Sequence, residues 1–214
     1  MSPETRRGMF HVKHADGGYG RLLEGLGIAI PQDRIHLLAT YERLLRDRAL
    51  PSGMIAKGDA ARIEGRHVMD SIRAAPLLPS HGTIVDIGSG AGLPGFPLAI
   101  AAPSVSVVLV EARRRRAAFL ELAQAELALS NIDVMLGDVA AAPRAAFDVV
   151  VARAYGDAVT TWHAAEGLLR DGGYLLYWAG AGFMAARDAP PGVDVRTVTS
   201  PVAGVGPIAI MARQ

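Results

Sequence analysis

The spacing of apolar and polar residues changes in character near residue 82. Before it, apolar residues recur every three or four positions, which predicts amphipathic helices. The clearest such set is Leu37, Leu38, Tyr41, Leu44 and Leu45. After residue 82, short continuous apolar runs alternate with stretches of helical spacing, which is typical of a parallel sheet covered on both faces. The pattern therefore predicts an N-terminal helical region over 19–80 and an α/β domain over 81–214.

Seven apolar runs are candidate strands of this α/β domain. They cover residues 83–87, 105–111, 131–136, 147–152, 173–179, 193–198 and 207–212. Predicted helices lie between them at 94–102, 113–129 and 158–170. The last two runs are joined by a short Gly/Pro loop, which favours an antiparallel hairpin at the sheet edge. About seven strands ending in such a hairpin is the Rossmann-like layout of class I methyltransferases, and it differs from the all-parallel dinucleotide-binding fold.

Composition and charge narrow the class of protein. The chain has 214 residues, half of them hydrophobic, and a net charge of +1, which does not by itself indicate a nucleic-acid binder. The absence of cysteine excludes disulfides, a thiol nucleophile and zinc–thiolate sites. No run approaches the roughly 18 apolar residues of a membrane span, and the N-terminus lacks the apolar middle of a secretion signal. We expect a soluble cytoplasmic protein with a flexible arm over 1–18.

A glycine-rich loop, "TIVDIGSGAGLPG" (83–95), follows the first predicted strand and is the strongest candidate ligand site. Gly88, Gly90 and Gly92 permit backbone angles closed to other residues, although such spacing also occurs in tight turns without a ligand. Asp86 would repel a pyrophosphate but can pair with the ammonium of an amino-acid ligand such as S-adenosylmethionine. Glu111 ends the second strand, where a carboxylate can accept both ribose hydroxyls; NAD binders share that feature.

Several segments carry a resemblance to a known family. They are "RHVMDSI" (66–72), "DIGSGAGLPGFPLAI" (86–100), "LVEARRRRAAFL" (109–120) and "FDVVVARA" (147–154). Together they resemble the bacterial 16S rRNA guanine-N7 methyltransferases, also called glucose-inhibited division protein B, from about residue 37 onwards. The Leu-Pro-Gly within the glycine motif and the Arg-Ala after the fourth strand are its most specific elements.

The resemblance implies transfer of the methyl group of S-adenosylmethionine to N7 of a guanine in a decoding-region loop of 16S rRNA. The expected partner is 16S rRNA or the 30S subunit, and the protein is expected to be a monomer without a metal. Guanine N7 carries a free lone pair, so no proton must leave before attack and no catalytic base is required. Rate can come from holding N7 in line with the methyl group.

Carrying the family's positions over implies several cofactor contacts. Gly88 and Leu93 match contacts in the glycine motif, Val139 and Ala140 match a backbone pair near the adenine, and Arg153 matches an arginine beside the cofactor and the guanine pocket. We assign Arg153 a positioning role in catalysis. Asp138 is a candidate acceptor for the adenine amino group.

The chain departs from the family at four places, one of which is the absence near 44–55 of the Trp-Asn and Asn-Leu positions usual in its N-terminal helices. The segment 138–140 reads Asp-Val-Ala where the family has Arg-x-Glu, Ala152 replaces a serine, and 179–180 reads Ala-Gly where the family has Lys-Gly.

Basic residues near the predicted site suggest RNA contacts. Arg115 and Arg116 belong to the "RRRR" run that opens the second crossover helix, and Arg66 and His67 precede the sheet. Phosphate contact is the functional interpretation. The alternatives are a solvated helix face for the arginines and ordinary packing for His67. Arg153, a lone arginine ending an apolar strand, needs a partner; the structural alternative for it is an ion pair with Asp138 or Asp157.

Three other functions stay open at this level. One is a class I methyltransferase acting on another RNA site or on a small molecule, which the departures from the family favour. Another is a non-catalytic homologue that only binds the cofactor. An NAD oxidoreductase is less favoured, because Asp86 and the terminal hairpin do not suit it.

Overall fold

The computed structural model describes residues 18–200 and 204–214. The predicted N-terminal arm lies outside the described residues except for Gly18. Among the described residues, no helix is long and apolar enough to cross a membrane.

A single seven-stranded sheet organises the chain. Its strands are β1 (Gly82–Ile87), β2 (Val105–Glu111), β3 (Ile132–Leu136), β4 (Phe147–Arg153), β5 (Leu169–Trp178), β6 (Val193–Val198) and β7 (Ile208–Arg213). The order across the sheet is β3-β2-β1-β4-β5-β7-β6, and β7 runs antiparallel to both of its neighbours. The other pairs are parallel, so the carboxyl ends of β1 to β5 meet at one edge. The predicted fold class, including the terminal antiparallel hairpin, is confirmed.

Helices connect the strands and precede the sheet. The α-helices are α1 (Tyr19–Gly25), α2 (Ile35–Leu44), α3 (Asp70–Ile72), α4 (Gly95–Ala101), α5 (Arg114–Leu127), α6 (Ala158–Ala165) and α7 (Ala185–Asp188). Two π-helical segments, Leu45–Ala49 and Ile63–Met69, continue α2 and lead into α3. Short 3-10 helices are Gln32–Arg34, Lys57–Arg62, Ala75–Leu77 and Val139–Ala141.

The largest difference from the predicted boundaries lies between α6 and β5. The helix predicted over 158–170 ends at Ala165, and β5 begins at Leu169 instead of residue 173. Leu169 pairs with Phe147, and a register shift between Phe147 and Val149 absorbs the intervening residues. The glycines at 172 and 173 mark this irregularity, because Gly173 approaches the backbone of the neighbouring strand closely and Gly172 has a positive φ.

The two faces of the sheet carry separate hydrophobic cores. Ile84, Val149 and Val151 point to the side covered by the N-terminal helices, α4 and α5. Val85 and Val150 point to the other side, which α6 covers. The alternation follows from the two-residue period of a strand. The helices of 19–80 thus share a core with one sheet face, and the boundary drawn at 80/81 stays a prediction.

Candidate active site

The glycine loop leaves β1 at Ile87 and turns into α4. Gly88, Gly90 and Gly92 have φ of +67°, +60° and +86°, a region that favours glycine. Space is also restricted: a Cβ on Gly92 would lie 2.2 Å from the ring of Phe96, and one on Gly88 would lie 2.8 Å from the ring of Tyr155. Backbone angle and space both favour glycine at 88 and 92, whereas at Gly90 only the backbone angle does.

Asp86 is a buried residue of β1 that hydrogen-bonds the end of this loop. Its side chain is buried, one carboxylate oxygen accepts a hydrogen bond from the amide of Gly95 at 2.9 Å, and the other has no hydrogen-bond partner. Burial raises the pKa of Asp86 to about 8, against the opposing effect of the Gly95 bond, and the charge of Glu111 raises it further. Asp86 does not line the cavity beside the loop. Its predicted contact with the cofactor ammonium stays a prediction.

The raised pKa of Asp86 predicts a specific pH dependence of stability. Because the folded-state pKa lies near 8 and an unfolded aspartate titrates near 4, the folded state binds this proton more tightly between those values. Stability from this group is fully present below about pH 4 and is lost as the pH rises towards 8, by up to about 1.4 kcal/mol per pH unit. Asp86→Asn removes this loss, so the variant should gain stability relative to the parent between pH 5 and pH 8.

Urea unfolding at pH 5 and at pH 8 measures the difference in free energy of unfolding between the variant and the parent. Asp133→Asn, at an exposed position on β3, is the matched control and should leave the pH profile of the parent unchanged. If the free energies of unfolding of Asp86→Asn and the parent differ by the same amount at pH 5 and at pH 8, the raised pKa assigned to Asp86 is contradicted.

Glu111 joins the glycine loop to the start of α5. Its carboxylate accepts hydrogen bonds from the amides of Gly90 and Arg113, each at 2.9 Å, and Arg116 lies 3.8 Å away. The group is buried, and it sits at the carboxyl end of β2, as expected from the sequence. Its predicted contact with the ribose hydroxyls stays a prediction.

The turn after β3 lines a cavity away from the glycine loop. Asp138 caps the short helix Val139–Ala141 by accepting a hydrogen bond from the Ala140 amide at 2.9 Å. Asp138, Val139 and Ala140 line this cavity together with Tyr155 and His163. We call it the turn cavity.

Arg153 at the end of β4 is held by the helical segment before the sheet. Its guanidinium donates to the carbonyls of Arg66 (2.9 Å) and His67 (3.2 Å) and to the hydroxyl of Ser71 (3.2 Å). The carboxylate nearest to it belongs to Asp70, at 3.7 Å. The predicted alternative of an ion pair with Asp138 or Asp157 is wrong, because Asp138 and Asp157 each cap a helix elsewhere.

His67 is an acceptor for Arg153 in this arrangement. An arginine Nη can only donate, and Nη2 lies 2.9 Å from His67 Nδ1, so the ring proton belongs on Nε2. Nε2 in turn lies 3.4 Å from Asp59. Burial and the charge of Arg153 lower the pKa of His67, which keeps the ring neutral. His67 therefore fixes the guanidinium, and its predicted contact with RNA stays a prediction.

Arg153 separates two cavities and lines both. The first, which we call the loop cavity, is bordered by Gly88, Gly90 and Leu93. The second, the helix cavity, is bordered by Asp59, Arg66 and Asp70, with further walls from Tyr177, Trp178 and Gly206. His67 and Ala154 also line both. A guanidinium fixed between two adjoining cavities can contact a ligand in either.

Sequence reasoning missed the polar groups that surround Arg153. Asp70 and Arg73 form a buried ion pair at 2.7 Å, and Arg73 also donates to the carbonyl of Gly206 at 2.7 Å. Trp178 donates from Nε1 to the Asp70 carbonyl at 3.0 Å and is buried. The three-residue spacing of Asp70 and Arg73 on an otherwise apolar helix was the available signal.

The predicted RNA-binding arginines differ in their positions. Arg66 borders the helix cavity with 48% of its side chain exposed, and Arg116 borders the loop cavity with 31% exposed. Arg115 is exposed on α5 and lines neither cavity. Their contacts with RNA stay predictions. The described residues include no group of three or more His, Asp or Glu side chains that could hold a metal ion.

Comparison with known proteins decides the family. Residues 34–185 match the family described as rRNA small subunit methyltransferase G. The chain belongs to this family. It is 39% identical over 157 residues to the ribosomal RNA small subunit methyltransferase G of Leifsonia xyli, covering 73% of this chain and 75% of that protein. The corresponding protein of Mycobacterium leprae is 37% identical over 188 residues, covering 78% and 74%.

Solved structures agree on the fold. A SAM-dependent methyltransferase from Aquifex aeolicus aligns with a TM-score of 0.54 at 16% identity, covering 75% of this chain and 97% of that one. P. horikoshii TYW2 in complex with MeSAdo aligns with a TM-score of 0.55 at 15% identity, covering 90% and 97%. The predicted family is confirmed, and with it the predicted cofactor and class of enzyme, an S-adenosylmethionine-dependent rRNA methyltransferase.

Proposed function

We propose that this protein transfers the methyl group of S-adenosylmethionine to N7 of a guanine in a decoding-region loop of 16S rRNA. The observation that carries the proposal is the position of Arg153. Arg153 lines the loop cavity, where the family's cofactor motif lies, and also the helix cavity. One fixed side chain can therefore order both reactants.

The residues of the loop cavity fit the cofactor. Gly88 and Gly90 expose backbone without a Cβ, Leu93 supplies apolar surface, and Arg116 borders the opening. Glu111 and Asp138 place carboxylates at the ends of β2 and β3, where an adenosine offers hydroxyl and amino donors. When bound, S-adenosylmethionine supplies a methyl group on a positively charged sulfur.

No residue of the helix cavity needs to act as a base. Guanine N7 has a free lone pair, and the carboxylate of Asp70 is committed to Arg73. The Nδ1 lone pair of His67 is committed to Arg153. We therefore assign these groups to positioning, so that the rate comes from alignment of the two reactants.

The helix cavity suits a guanine. Arginine is the side chain that most often recognises the O6/N7 edge of guanine. Since N7 must remain free to react, and the Nη donors of Arg153 already meet Arg66, His67 and Ser71, we assign the guanidinium of Arg66 to O6. Asp59 borders the same cavity 3.9 Å from Arg66, and its carboxylate can accept from N–H donors of the base. The exposed guanidinium of Arg115 and the half-buried one of Arg116 are then assigned to phosphates of the surrounding RNA.

Methylation with labelled S-adenosylmethionine tests the proposal. Assembled 30S subunits and naked 16S rRNA, both from a strain lacking the family's own enzyme, are incubated with the protein and digested to nucleosides. We expect label in 7-methylguanosine, mapped to a decoding-region loop, on at least one of the two substrates. Gly88→Asp serves as the inactive control, since the φ of +67° at this position favours glycine and the added carboxylate would stand at the wall of the loop cavity.

Label in another nucleoside, or at a guanine outside that region, would overturn the proposed target while leaving the enzyme class intact. Absence of label on both RNAs, with cofactor binding retained in calorimetry, would instead favour a cofactor-binding homologue without this activity.

A further inference from the structure

The cofactor contacts expected from the family fall into two separate cavities. Gly88, Gly90 and Leu93 line the loop cavity with Arg153. Asp138, Val139 and Ala140 line the turn cavity, which shares no residue with the loop cavity. A single cofactor molecule that contacts both sets of residues must span the region between the two cavities.

The side chain of Tyr155 lies at both the turn cavity and Gly88 of the loop cavity. It lines the turn cavity, and its ring covers Gly88 so closely that a Cβ there would lie 2.8 Å from Cδ2 and 3.4 Å from Cε2. Burial and the charge of Asp138 raise the pKa of the Tyr155 hydroxyl, which agrees with a ring placed between Gly88 and the turn after β3.

The backbone beside Tyr155 is fixed, whereas its ring is not. Arg153 is anchored by the contacts described above, and Ala154 has φ +55°, a left-handed conformation that is unusual for alanine and occurs mainly where surrounding structure enforces it. This turn directs Tyr155 towards the glycine loop. The residue is 37% exposed, and its hydroxyl has no hydrogen-bond partner within 18–200 and 204–214. Rotation of the side chain towards solvent therefore breaks no hydrogen bond.

We propose that Tyr155 is the gate of the cofactor site: its ring must leave Gly88 before S-adenosylmethionine can span the loop and turn cavities, and it covers the cofactor afterwards. The apolar face of the ring and its exposed edge suit both positions. This inference rests on the cofactor and is independent of the target base, so its failure and a failure of the proposed guanine N7 target are distinguishable.

Cofactor binding kinetics test the gate without any RNA. Surface plasmon resonance on the immobilised full chain gives association and dissociation rate constants for S-adenosylmethionine. If the closed ring blocks entry, the apparent association rate is reduced by the fraction of open molecules, and Tyr155→Ala should raise it by about threefold or more. Loss of the cover should also raise the dissociation rate constant, by about tenfold. Tyr155→Phe keeps the ring and should stay within about twofold of the parent in both constants.

Two further variants keep the outcome decisive. Leu122→Ala truncates a comparably exposed apolar side chain on α5 and should change neither rate constant. Tyr155→Leu provides a second ringless variant if Tyr155→Ala melts before the assay temperature. The gate is refuted if the folded ringless variant keeps both rate constants within about twofold of the parent, or if only dissociation changes, which would indicate a cover that never obstructs entry.

Discussion

Replacing Arg153 with alanine should lower the rate of methyl transfer by about 100-fold or more, the scale of loss that follows when reactants are misplaced by about 1 Å. Arg153 borders both the loop cavity and the helix cavity and holds Arg66 and His67 by hydrogen bonds, so its loss disturbs the positions of cofactor and base together. Cofactor affinity should fall much less, because the glycine loop and the groups on β2 and β3 remain. The measurements are single-turnover transfer to 30S subunits and calorimetric binding of S-adenosylmethionine.

Conservative and remote variants separate positioning from charge and from folding. Arg153→Lys keeps the positive charge, but one ammonium cannot reproduce the planar fork that meets Arg66, His67 and Ser71, so it should restore only part of the rate. Arg114→Ala removes an exposed arginine of α5 and should leave transfer to RNA much closer to the parent. Near-parental transfer by folded Arg153→Ala would refute the role assigned to this residue.

Replacing Asp70 with alanine should lower the free energy of unfolding by about 3–5 kcal/mol, because it leaves a buried guanidinium without its carboxylate. Arg73 is 8% exposed, and apart from Asp70 its side chain donates to the Gly206 carbonyl. Arg153 also loses its nearest acid, at 3.7 Å. Denaturant unfolding monitored by circular dichroism measures the loss.

A double-mutant cycle identifies the source of this loss. Asp70→Ala combined with Arg73→Met removes the stranded charge, so the double variant should be more stable than the sum of the single effects predicts. Glu126→Ala breaks an exposed pair with Arg43 and should cost no more than about 1 kcal/mol. Simple additivity of the Asp70 and Arg73 variants would show that the two side chains contribute independently.

The sheet was predictable because its signals are local. Continuous apolar runs such as 105–111 show strands directly, and the helix Arg114–Leu127 lies within its predicted range of 113–129. The start of β5 was misplaced because the pairing of Leu169 with Phe147 lies on the far side of a register shift. Nothing within 165–173 alone reveals that partner.

The glycine motif was recognisable from local spacing and its cofactor contacts stay predictions, whereas the partners of the residues around it were only partly recognised. Arg153 was predicted to need an acid, but the acid, Asp70, lies 83 positions earlier in the chain, within a helical segment. Tyr155 gains its importance from Gly88, which it covers through a backbone turn at Ala154 that no sequence pattern announced. Such contacts depend on tertiary packing, so the local spacing of residues in the sequence does not predict them.

The hydrogen bonds between the N-terminal helices and the far strands also bear on how the protein is made. Trp178 reaches the Asp70 carbonyl over 108 positions, and Arg73 reaches the Gly206 carbonyl over 133. During synthesis the helices leave the ribosome long before these partners exist. Their apolar faces can pack against α4 and α5 earlier, but Arg73 lacks its Gly206 acceptor until the last residues emerge. This part of the core is therefore completed late, and aggregation competes with folding in the meantime.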